Sequence, residues 1–257
     1  MCGKRIVLIA RAPQYSPNSV DKDWEILSAV RRQLLLMGCH CSDILHEEVI
    51  DGLPVADVYL SMARMDRTLT LLQNQSQVAN TADSVDKCKH RSRLMKSLEL
   101  DGFPVPPLVG NAGYWVKRGD NYTMCLQDVQ YATDERQALT ISLQMRQRGI
   151  AEVDVRAHVE GDLLKCYGVY GSPFFRYYYP ADTSHYAFDS NVLHHLLENV
   201  AFFVGLSIYG CDCIIQPDGT PVIIDVNDWP SFSHCREEAA VAIAESVIQK
   251  REDGNNE

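Results

Sequence analysis

Residues 210–230 constrain the fold more than any other stretch, because two apolar runs there flank the tetrapeptide Pro-Asp-Gly-Thr. The dipeptide Asp218-Gly219 tolerates the positive φ angles of a tight turn, so the pattern predicts a β-hairpin that turns at these two residues. In such a hairpin the position numbers of facing residues have a constant sum. Asp212 is therefore predicted to lie directly opposite Asp225.

The hairpin also predicts which side chains share a face. Side chains alternate along a strand, which places Asn227 on the face of the two aspartates and directs Ile224 and Val226 into the core. Facing carboxylates destabilise a sheet unless a positive charge lies between them. Oxygen ligands from Asp212, Asp225 and Asn227 suit a hard divalent cation, so the pattern predicts a site for Mg²⁺, or Mn²⁺ in its place.

The alternative interpretation is that both acids lie on a solvated face and tolerate each other in water. Trp229, Pro230 and Phe232 follow immediately. Such apolar residues favour a partly enclosed position for the acids. The sequence therefore favours the metal site.

An Asp on one strand, followed on the next by Asp225-Val226-Asn227 and a proline-containing loop, resembles the metal-binding end of the ATP-grasp enzymes. The resemblance implies an α/β (α+β) fold of ATP-grasp architecture, in which a small parallel βαβ N-terminal domain precedes two α+β subdomains that grip ATP. It also implies ATP and Mg²⁺ as cofactors, with phosphoryl transfer from ATP to an acceptor. The expected boundaries are 1–82 for the acceptor-side N-terminal domain, 83–160 for the small subdomain, 161–250 for the metal-binding subdomain and 251–257 for a polar tail.

The composition argues against several other classes of protein. The 257 residues carry a formal net charge of −10, which disfavours nucleic acid as a partner because phosphate neutralisation requires a basic surface. No apolar run approaches the ~18 residues of a membrane span, so we expect no membrane partner and a cytoplasmic location. Nine cysteines without a Cys-x-x-Cys pair are typical of reduced structural thiols. A P-loop fold is excluded because its Gly-x-x-x-x-Gly-Lys-Ser/Thr motif is missing from the sequence.

The N-terminal residues alternate between strand and helix patterns. Residues 4–10 form the continuous apolar run of a buried parallel strand, and further strands are predicted at 39–45 and 57–61. In a parallel sheet the ligand crevice lies beyond the carboxyl ends of the strands. Three polar residues are candidates to line it, with a simple helix cap as the alternative: Ser16, Asn18 and Ser19.

A basic helix predicted at 86–100 is similar to the family's entry into its ATP-binding core. The resemblance implies that one cation of this helix reaches the nucleotide phosphates. The spacing back from the glycine that ends the helix indicates Arg91, with Lys87 and Lys89 as alternatives and an exposed basic face as the other interpretation. The resemblance also makes Lys117, at the end of the next predicted strand, a phosphate ligand.

The loop after Lys117 departs from the family pattern. ATP-grasp enzymes usually carry a glycine-rich flap here, whereas residues 118–124 contain one glycine. Either Arg118 and Thr123 cover the phosphates with their side chains, or the grip on the nucleotide is altered.

Residues 150–161 alternate as a strand that ends in glycine, which is similar to the family's hinge. The resemblance implies that the backbone from Ala157 to Val159 binds the adenine edge and that Glu160 or Asp162 binds the ribose hydroxyls. Because backbone groups contact the adenine, side chains at this hinge need not be diagnostic.

Two cations lie on predicted strands that are otherwise apolar or aromatic. Lys165 and Arg176 would cost desolvation free energy there unless each meets an anion or carries its charged end to water. We predict that both clamp a phosphate or an acceptor carboxylate, with extension into water as the alternative. Arg176 is favoured because aromatic residues flank it and a guanidinium can stack while it binds a planar anion.

The resulting functional prediction is ATP-dependent activation of a small-molecule carboxylate for ligation to an amine, by an ADP-forming ligase. The first alternative is a small-molecule kinase of the same fold, similar to the inositol phosphate kinases, acting on a phosphorylated acceptor. This acidic chain offers few cations for such an acceptor. The second alternative is a nucleotide-binding regulatory protein without catalysis, which the glycine-poor loop favours.

Overall fold

The computed structural model describes residues 3–16, 19–180 and 185–249, and the predicted tail lies outside them. Their strands form one parallel sheet followed by two antiparallel sheets. The predicted mixed α/β class is therefore confirmed.

The N-terminal sheet is parallel, with the strand order β2-β1-β4-β5, and β3 also pairs with β1. Its strands are β1 (Arg5–Ala10), β2 (His40–Cys41), β3 (Leu45–His46), β4 (Val58–Ser61) and β5 (Val78–Ala79). Its helices are α1 (Val20–Leu36) and α2 (Asp66–Gln73). The single strand predicted at 39–45 is thus two short strands, both of which pair with β1.

A small antiparallel sheet follows, with the order β7-β6-β8. The elements of this region are α3 (Ala82–Lys89), α4 (Arg91–Leu100), β6 (Tyr114–Arg118), β7 (Val129–Ala132), α5 (Glu135–Gln147) and β8 (Val153–Ala157). Helix α5 covers one face of the sheet, where Ile141 and Met145 pack against Val116. The opposite face, with Trp115 and Lys117, is left to the cleft described below.

The prediction of one continuous basic helix at 86–100 is wrong, because the structure has two helices there. Helix α3 ends at Lys89 and α4 begins at Arg91, because His90 between them has a ψ of 64°, which no helical residue adopts. The break makes Arg91 the first residue of α4.

The third sheet is antiparallel, with the order β10-β9-β11-β12. Its elements are β9 (Asp162–Val169), β10 (Phe175–Tyr178), α6 (Ser190–Val204), β11 (Ile208–Ile215), β12 (Pro221–Asn227) and the closing helix α7 (Arg236–Gln249). Leu193 and Leu197 of α6 cover one face, where Cys211 and Cys213 are buried beside them. Both cysteines are free thiols that act as small core residues, as predicted.

Helix α7 returns to the N-terminal sheet. Ala239 and Ile243 of α7 are buried in one core with Leu27 and Val30 of α1. This contact ties the C-terminal end of the described chain to the N-terminal sheet. Among the helices that the structure describes, none is both long and apolar enough to cross a bilayer.

Candidate functional site

The hairpin of β11 and β12 places its two aspartates face to face. Asp212 pairs with Asp225 in the antiparallel ladder, as the sequence predicted, and Asn227 pairs with Gly210 two positions further along β12. Since side chains alternate along the strand, Asn227 shares the face of the aspartates.

The predicted turn is nevertheless wrong in detail. The strands are joined by a loop in which the Gln216 amide donates to the Thr220 carbonyl, with Gly219 at a φ of +86°. This loop sets a register one residue away from that of a turn at Asp218-Gly219. A β-bulge then restores the predicted pairing. Cys213 pairs with Ile223, and the next residue of β11, Asp212, pairs with Asp225, so one residue of β12 is left unpaired.

The unpaired residue is Ile224. We expected its side chain to point into the core, and this is wrong, because Ile224 lines the cleft between the two antiparallel sheets. Ile223 is fully buried in its place, and Val226 is buried as expected. The bulge thus adds an apolar side chain to the cleft immediately beside Asp225.

Each aspartate already has a cationic partner. Lys165 Nζ lies 2.8 Å from Asp212 Oδ2, and an Nη of Arg91 lies 2.6 Å from Asp225 Oδ1. Lys117 Nζ donates to the Ile224 carbonyl at 3.1 Å. The repulsion expected between the facing carboxylates is therefore balanced by side chains of the chain itself.

These neighbours shift the pKa values of the two acids in opposite directions. Burial, reinforced by the facing charge of Asp225, raises the pKa of Asp212 despite Lys165. Burial also acts to raise the pKa of Asp225, but Arg91 and Lys117 outweigh it and hold that pKa below its ordinary value. Burial and the nearby Arg91 charge lower the pKa of Lys117. Asp225 is thus the better stabilised carboxylate of the pair.

Of the three basic residues weighed for the phosphate role, Arg91 is the one that reaches the acids. Lys87 pairs with Asp83, and Lys89 pairs with Asp66. Arg91 Nε is buried and has no hydrogen-bond partner among the described residues. Such an unpartnered donor is available to a phosphate oxygen, although the phosphate role itself stays a prediction.

A cavity of about 370 Å³ lies between the two antiparallel sheets, on the sheet face that carries the aspartates. Lys117 and the buried residues Asp154 and Arg156 form its charged lining. Asp154 faces Lys117 across the β6–β8 ladder, and burial raises the pKa of its carboxyl. The remaining lining residues are apolar or aromatic: Met95, Pro106, Trp115, Val129, Ala157, His158, Val159, Gly161, Leu163, Ile214 and Ile224.

The predicted hinge borders this cavity. Ala157 and Val159 both line it. The Ala157 amide donates to the Pro107 carbonyl and the His158 amide to the Gly113 carbonyl, both at 2.8 Å. Within the described residues the Val159 amide has no such acceptor, so it is the hinge N–H that remains for a ligand.

The two acids predicted to bind ribose do not line the cavity. Glu160 is exposed beyond the hinge. Asp162 accepts a hydrogen bond of 2.6 Å from the Tyr186 amide and lies 3.7 Å from His185. Their ribose role stays a prediction that this geometry does not favour.

Arg176 and Lys165 are separated by the structure. Lys165 lies beside Asp212, whereas Arg176 pairs with Tyr167 two positions further along β9 and forms an ion pair with Glu238 of α7. The side chain of Arg176 is 49% exposed, so it carries its charge to water, which is the alternative the sequence left open. A role for Arg176 as an acceptor clamp stays a prediction.

The glycine-poor loop after Lys117 is fixed by polar contacts. Asp120 binds Arg118 Nε at 2.8 Å and the Ala151 amide at 2.7 Å, so Arg118 is committed to an acid. Thr123 is exposed. Further along, Tyr122 covers the guanidinium of Arg64, whose Cζ lies 3.7 Å from the ring centroid. The loop therefore extends toward Arg64, which follows β4 of the N-terminal sheet.

A buried charge cluster at the carboxyl ends of β1 and β4 was missed from the sequence. Arg11 lies 3.0 Å from Asp23, and Arg64 forms an ion pair with Asp228, the residue after Asn227. Arg11 directly follows β1, and Arg64 lies three residues after the end of β4, so a charged residue shortly after a buried strand is a signal that the sequence offered. Of the predicted crevice residues, Ser16 contacts Asp23, Ser19 precedes α1 and Asn18 lies outside the described residues.

The donor set at the hairpin has the chemistry of a magnesium site. No group of three or more His, Cys, Asp or Glu side chains able to hold a metal occurs in the described ranges. Asp212, Asp225 and Asn227 supply two carboxylates and one amide, which are hard oxygen ligands, and leave positions for phosphate and water. The residues present therefore fit Mg²⁺ held jointly with a nucleotide.

Comparison with known proteins supports the fold. No protein-family model matches the sequence, and a search of curated proteins found no match. Among solved structures, the chain resembles a RimK-domain ATP-grasp protein from Sphaerobacter thermophilus, with a TM-score of 0.68, 17% identity and coverage of 95% of this chain and 99% of that one. It also resembles D-alanyl-alanine synthetase A from Vibrio cholerae, with a TM-score of 0.69, 10% identity and 97% coverage of both chains.

A third structure of similar fold is the macrocyclase MdnC from Microcystis aeruginosa, bound with its precursor peptide MdnA. It has a TM-score of 0.68, 12% identity and coverage of 95% of this chain and 99% of that one. The protein therefore has the ATP-grasp fold, as the resemblance in its sequence indicated.

Proposed function

We propose that this protein binds ATP with Mg²⁺, or Mn²⁺, in the cleft between its antiparallel sheets and transfers the γ-phosphoryl group to a carboxylate. The acyl phosphate would then be captured by an amine, which forms an amide and releases orthophosphate. The observation that carries the proposal is the facing pair Asp212 and Asp225, set beside a cavity and accompanied by Arg91, Lys117 and Lys165. Acids that bind metal and cations that bind phosphate are the two groups that phosphoryl transfer requires.

The roles proposed for the charged residues follow from their positions. Asp212, Asp225 and Asn227 would hold the metal, which when bound neutralises phosphate charge. Lys117 and Arg91 would bind phosphate oxygens, and the unpartnered Nε of Arg91 provides a donor for this purpose. Catalysis would then consist of positioning and charge neutralisation while the acceptor oxygen attacks phosphorus and ADP leaves.

The apolar part of the cavity would enclose the base. Leu163 and Ile214 provide an aliphatic surface, and the free Val159 amide provides a donor at the hinge. Lys165 is the candidate to contact the reacting groups, because it lies beside Asp212 on the floor of the same sheet face.

The acceptor would meet the cleft at the carboxyl ends of β1 and β4. The two arginines at that edge, Arg11 and Arg64, are buried and paired with Asp23 and Asp228. Because both cations are committed, the edge suits a small carboxylate better than a multiply phosphorylated acceptor. This favours the ligase over the kinase. One structure of similar fold, D-alanyl-alanine synthetase A, is named for a small-molecule product, and another, MdnC, is bound with a precursor peptide. A peptide carboxylate is therefore a further candidate acceptor.

A nucleotide-binding protein without turnover is the second candidate, and two observations favour it. Arg91 forms an ion pair with Asp225, and the Ala151 amide donates a hydrogen bond to Asp120 of the glycine-poor loop. The ion pair engages a candidate metal ligand, and the tied loop opposes a mobile cover over the phosphates. The cytoplasmic location expected from the sequence stays a prediction under either candidate.

An acceptor screen tests these alternatives. A ligase should release ADP and orthophosphate when a carboxylic acid and an amine are both supplied, and neither alone should suffice. A kinase would release ADP without orthophosphate in the presence of a single hydroxylic acceptor. Calorimetric binding of ATP without ADP release under any acceptor would identify the non-catalytic protein, and the absence of ATP binding would contradict the whole proposal.

A further inference from the structure

Arg64 keeps hydrogen-bond donors that its partners in the protein do not use. Its side chain is 7% exposed, and Nε and one Nη bind Asp228 at 3.2 and 2.5 Å. The other Nη donates to the Tyr15 carbonyl at 3.3 Å. These contacts use three of the five N–H groups of the guanidinium. The N–H groups that remain, one on each Nη, suit the two oxygens of a single carboxylate.

A second guanidinium lies close to Arg64. Arg11 directly follows β1, is 8% exposed and donates to the Trp229 carbonyl at 2.5 Å. Burial, reinforced by the charge of Arg64, lowers the pKa of Arg11. A bound anion would relieve this repulsion between the two cations. The carboxyl ends of β1 and β4 therefore favour one additional negative charge.

The ring of Tyr122 covers Arg64 on the side of the loop at 118–124. Arg64 Cζ lies 3.7 Å from the ring centroid, so the phenol stacks on the guanidinium. The rings of Tyr122 and Tyr15 meet edge to face, with centroids 5.8 Å apart at an interplanar angle of 69°. Burial raises the pKa of Tyr122, so its hydroxyl stays protonated and donates to the Val85 carbonyl at 3.3 Å. A ligand that approaches Arg64 from the loop side must displace this ring.

The segment that carries Tyr122 is anchored at both ends but not in its middle. At one end Asp120 accepts a hydrogen bond from the Ala151 amide, and at the other Asp128 accepts one from the Met124 amide. In the described part of the chain, the hydrogen bonds and ring contacts of residues 121–123 with other segments all involve Tyr122. The ring can therefore leave Arg64 while both anchors stay in place.

We propose that Arg64 binds the carboxylate of the acceptor and that Tyr122 is the gate over it. The inference rests on the proposed activation of a carboxylate, and it specifies which residue takes the acceptor and what controls its entry. The gate is closed in the structure. When the ring moves away, the carboxylate binds the remaining N–H groups of Arg64, and the ion pair with Asp228 is kept.

Labelling with phenylglyoxal, which modifies arginine, measures access to Arg64 without knowledge of the acceptor. Mass spectrometry of proteolytic peptides gives the labelling rate at each arginine. Tyr122→Ala should speed the labelling of Arg64 by about tenfold or more, which corresponds to the loss of one desolvated cation–π contact. Tyr122→Phe keeps the ring and loses the hydroxyl, so it should label close to the wild-type rate.

Two controls separate the gate from general loosening. Arg32 is the internal control, because its side chain is 54% exposed and its labelling should be the same in every variant. Tyr186→Ala removes a tyrosine that is 43% exposed elsewhere and should leave the labelling of Arg64 unchanged. If Tyr122→Ala does not fold, Tyr122→Leu keeps an apolar side chain without an aromatic face and should still label Arg64 faster than Tyr122→Phe.

Acetate is the probe for the carboxylate site. In Tyr122→Ala it should slow the labelling of Arg64 relative to chloride at the same ionic strength, and it should not slow the labelling of Arg32. In the wild type the same protection should require a higher acetate concentration, because acetate must compete with the ring of Tyr122.

Equal labelling of Arg64 in the wild type and in Tyr122→Ala would overturn the gate. Fast labelling in Tyr122→Ala that acetate does not slow would overturn the carboxylate role of Arg64. If both labelling results hold but no acid and amine together release ADP, the proposed ligase function is wrong, whereas carboxylate binding at Arg64 stands.

Discussion

Neutralising the two facing aspartates one at a time should change stability in opposite directions. Asp225→Asn replaces the carboxylate that pairs with Arg91 by a neutral amide, and the Arg91 side chain is 16% exposed with an Nε that has no hydrogen-bond partner among the described residues. A buried guanidinium left with a weaker acceptor should cost about 2 kcal/mol. Asp212→Asn instead removes the like charge that faces Asp225, and it leaves Lys165 with 32% of its side chain exposed to water. That change should stabilise the protein by about 0.5–1 kcal/mol.

The pKa directions give the pH dependence of both effects. Asp225 has a lowered pKa, so its charge stabilises the folded state above the ordinary Asp range, and that contribution is lost as pH falls through the lowered pKa. Asp212 has a raised pKa, mainly through burial, so its charge opposes folding until pH falls through that raised value. The advantage of Asp212→Asn should therefore disappear at a higher pH than the cost of Asp225→Asn.

Thermal and urea unfolding at pH 7 and at stepwise lower pH measure these differences. For a chain of this length each kcal/mol corresponds to roughly 2–4 °C in Tm. Asp51→Asn, at an exposed position, controls for the change in net charge. A destabilised Asp212→Asn, or equal shifts for both variants, would refute the assignment of opposite electrostatic roles. Added Mg²⁺ and ATP should raise the Tm of the wild type but of neither site variant.

Three further predictions follow from single contacts. Arg64→Met removes a buried guanidinium from its carboxylate partner and should cost about 3–5 kcal/mol in urea unfolding, so a loss below 1 kcal/mol would contradict the structural role given to this pair. Gly161→Ala places a Cβ against the Ile215 carbonyl oxygen at a φ of +148° and should lower the free energy of unfolding by at least ~2 kcal/mol, whereas Gly52→Ala, at an open position, is the control. Arg91→Met should let Mn²⁺ bind without nucleotide, seen as a loss of the free Mn²⁺ resonance signal, whereas wild-type protein should leave that signal unchanged. Unchanged Mn²⁺ binding in the variant would show that Arg91 does not occupy the metal ligands.

The part of the site that could be predicted is local in sequence. Asp212 and Asp225 belong to one hairpin, so strand alternation and the position of the turn sufficed to pair them. The predicted pairing is nevertheless correct only because two shifts of the strand register, each of one residue, cancel. The loop around Gly219 is longer than a two-residue turn, and the bulge at Ile224 shifts the register back. Alternation alone does not encode a bulge, which is why Ile224 was assigned to the wrong face.

The parts that were missed depend on distant residues. The break at His90 separates two helices that pack on different neighbours, since Val85 of α3 clusters with Leu69 and Leu94 of α4 lies in the core of the third sheet, and no proline or glycine marks the break. The ion pair of Arg64 with Asp228 joins residues 164 positions apart, and its cap Tyr122 comes from a third segment. Burial of a charge is decided by such tertiary partners and not by the local pattern. A charged residue shortly after a buried strand, such as Arg64, is the sequence signal that indicates such a buried ion pair.

The charges around the hairpin explain why metal and nucleotide should bind together. Arg91, Lys117 and Lys165 surround Asp212 and Asp225 and offset the charge of the two acids. A bare divalent cation would have to displace these fixed cations and would leave them without partners, at a desolvation cost. A polyphosphate ligand changes the balance, because Arg91 and Lys165 can exchange carboxylate oxygens for phosphate oxygens of similar geometry. The same side chains that pair with the acids thereby become the phosphate ligands, so the affinity for the metal depends on the nucleotide that accompanies it.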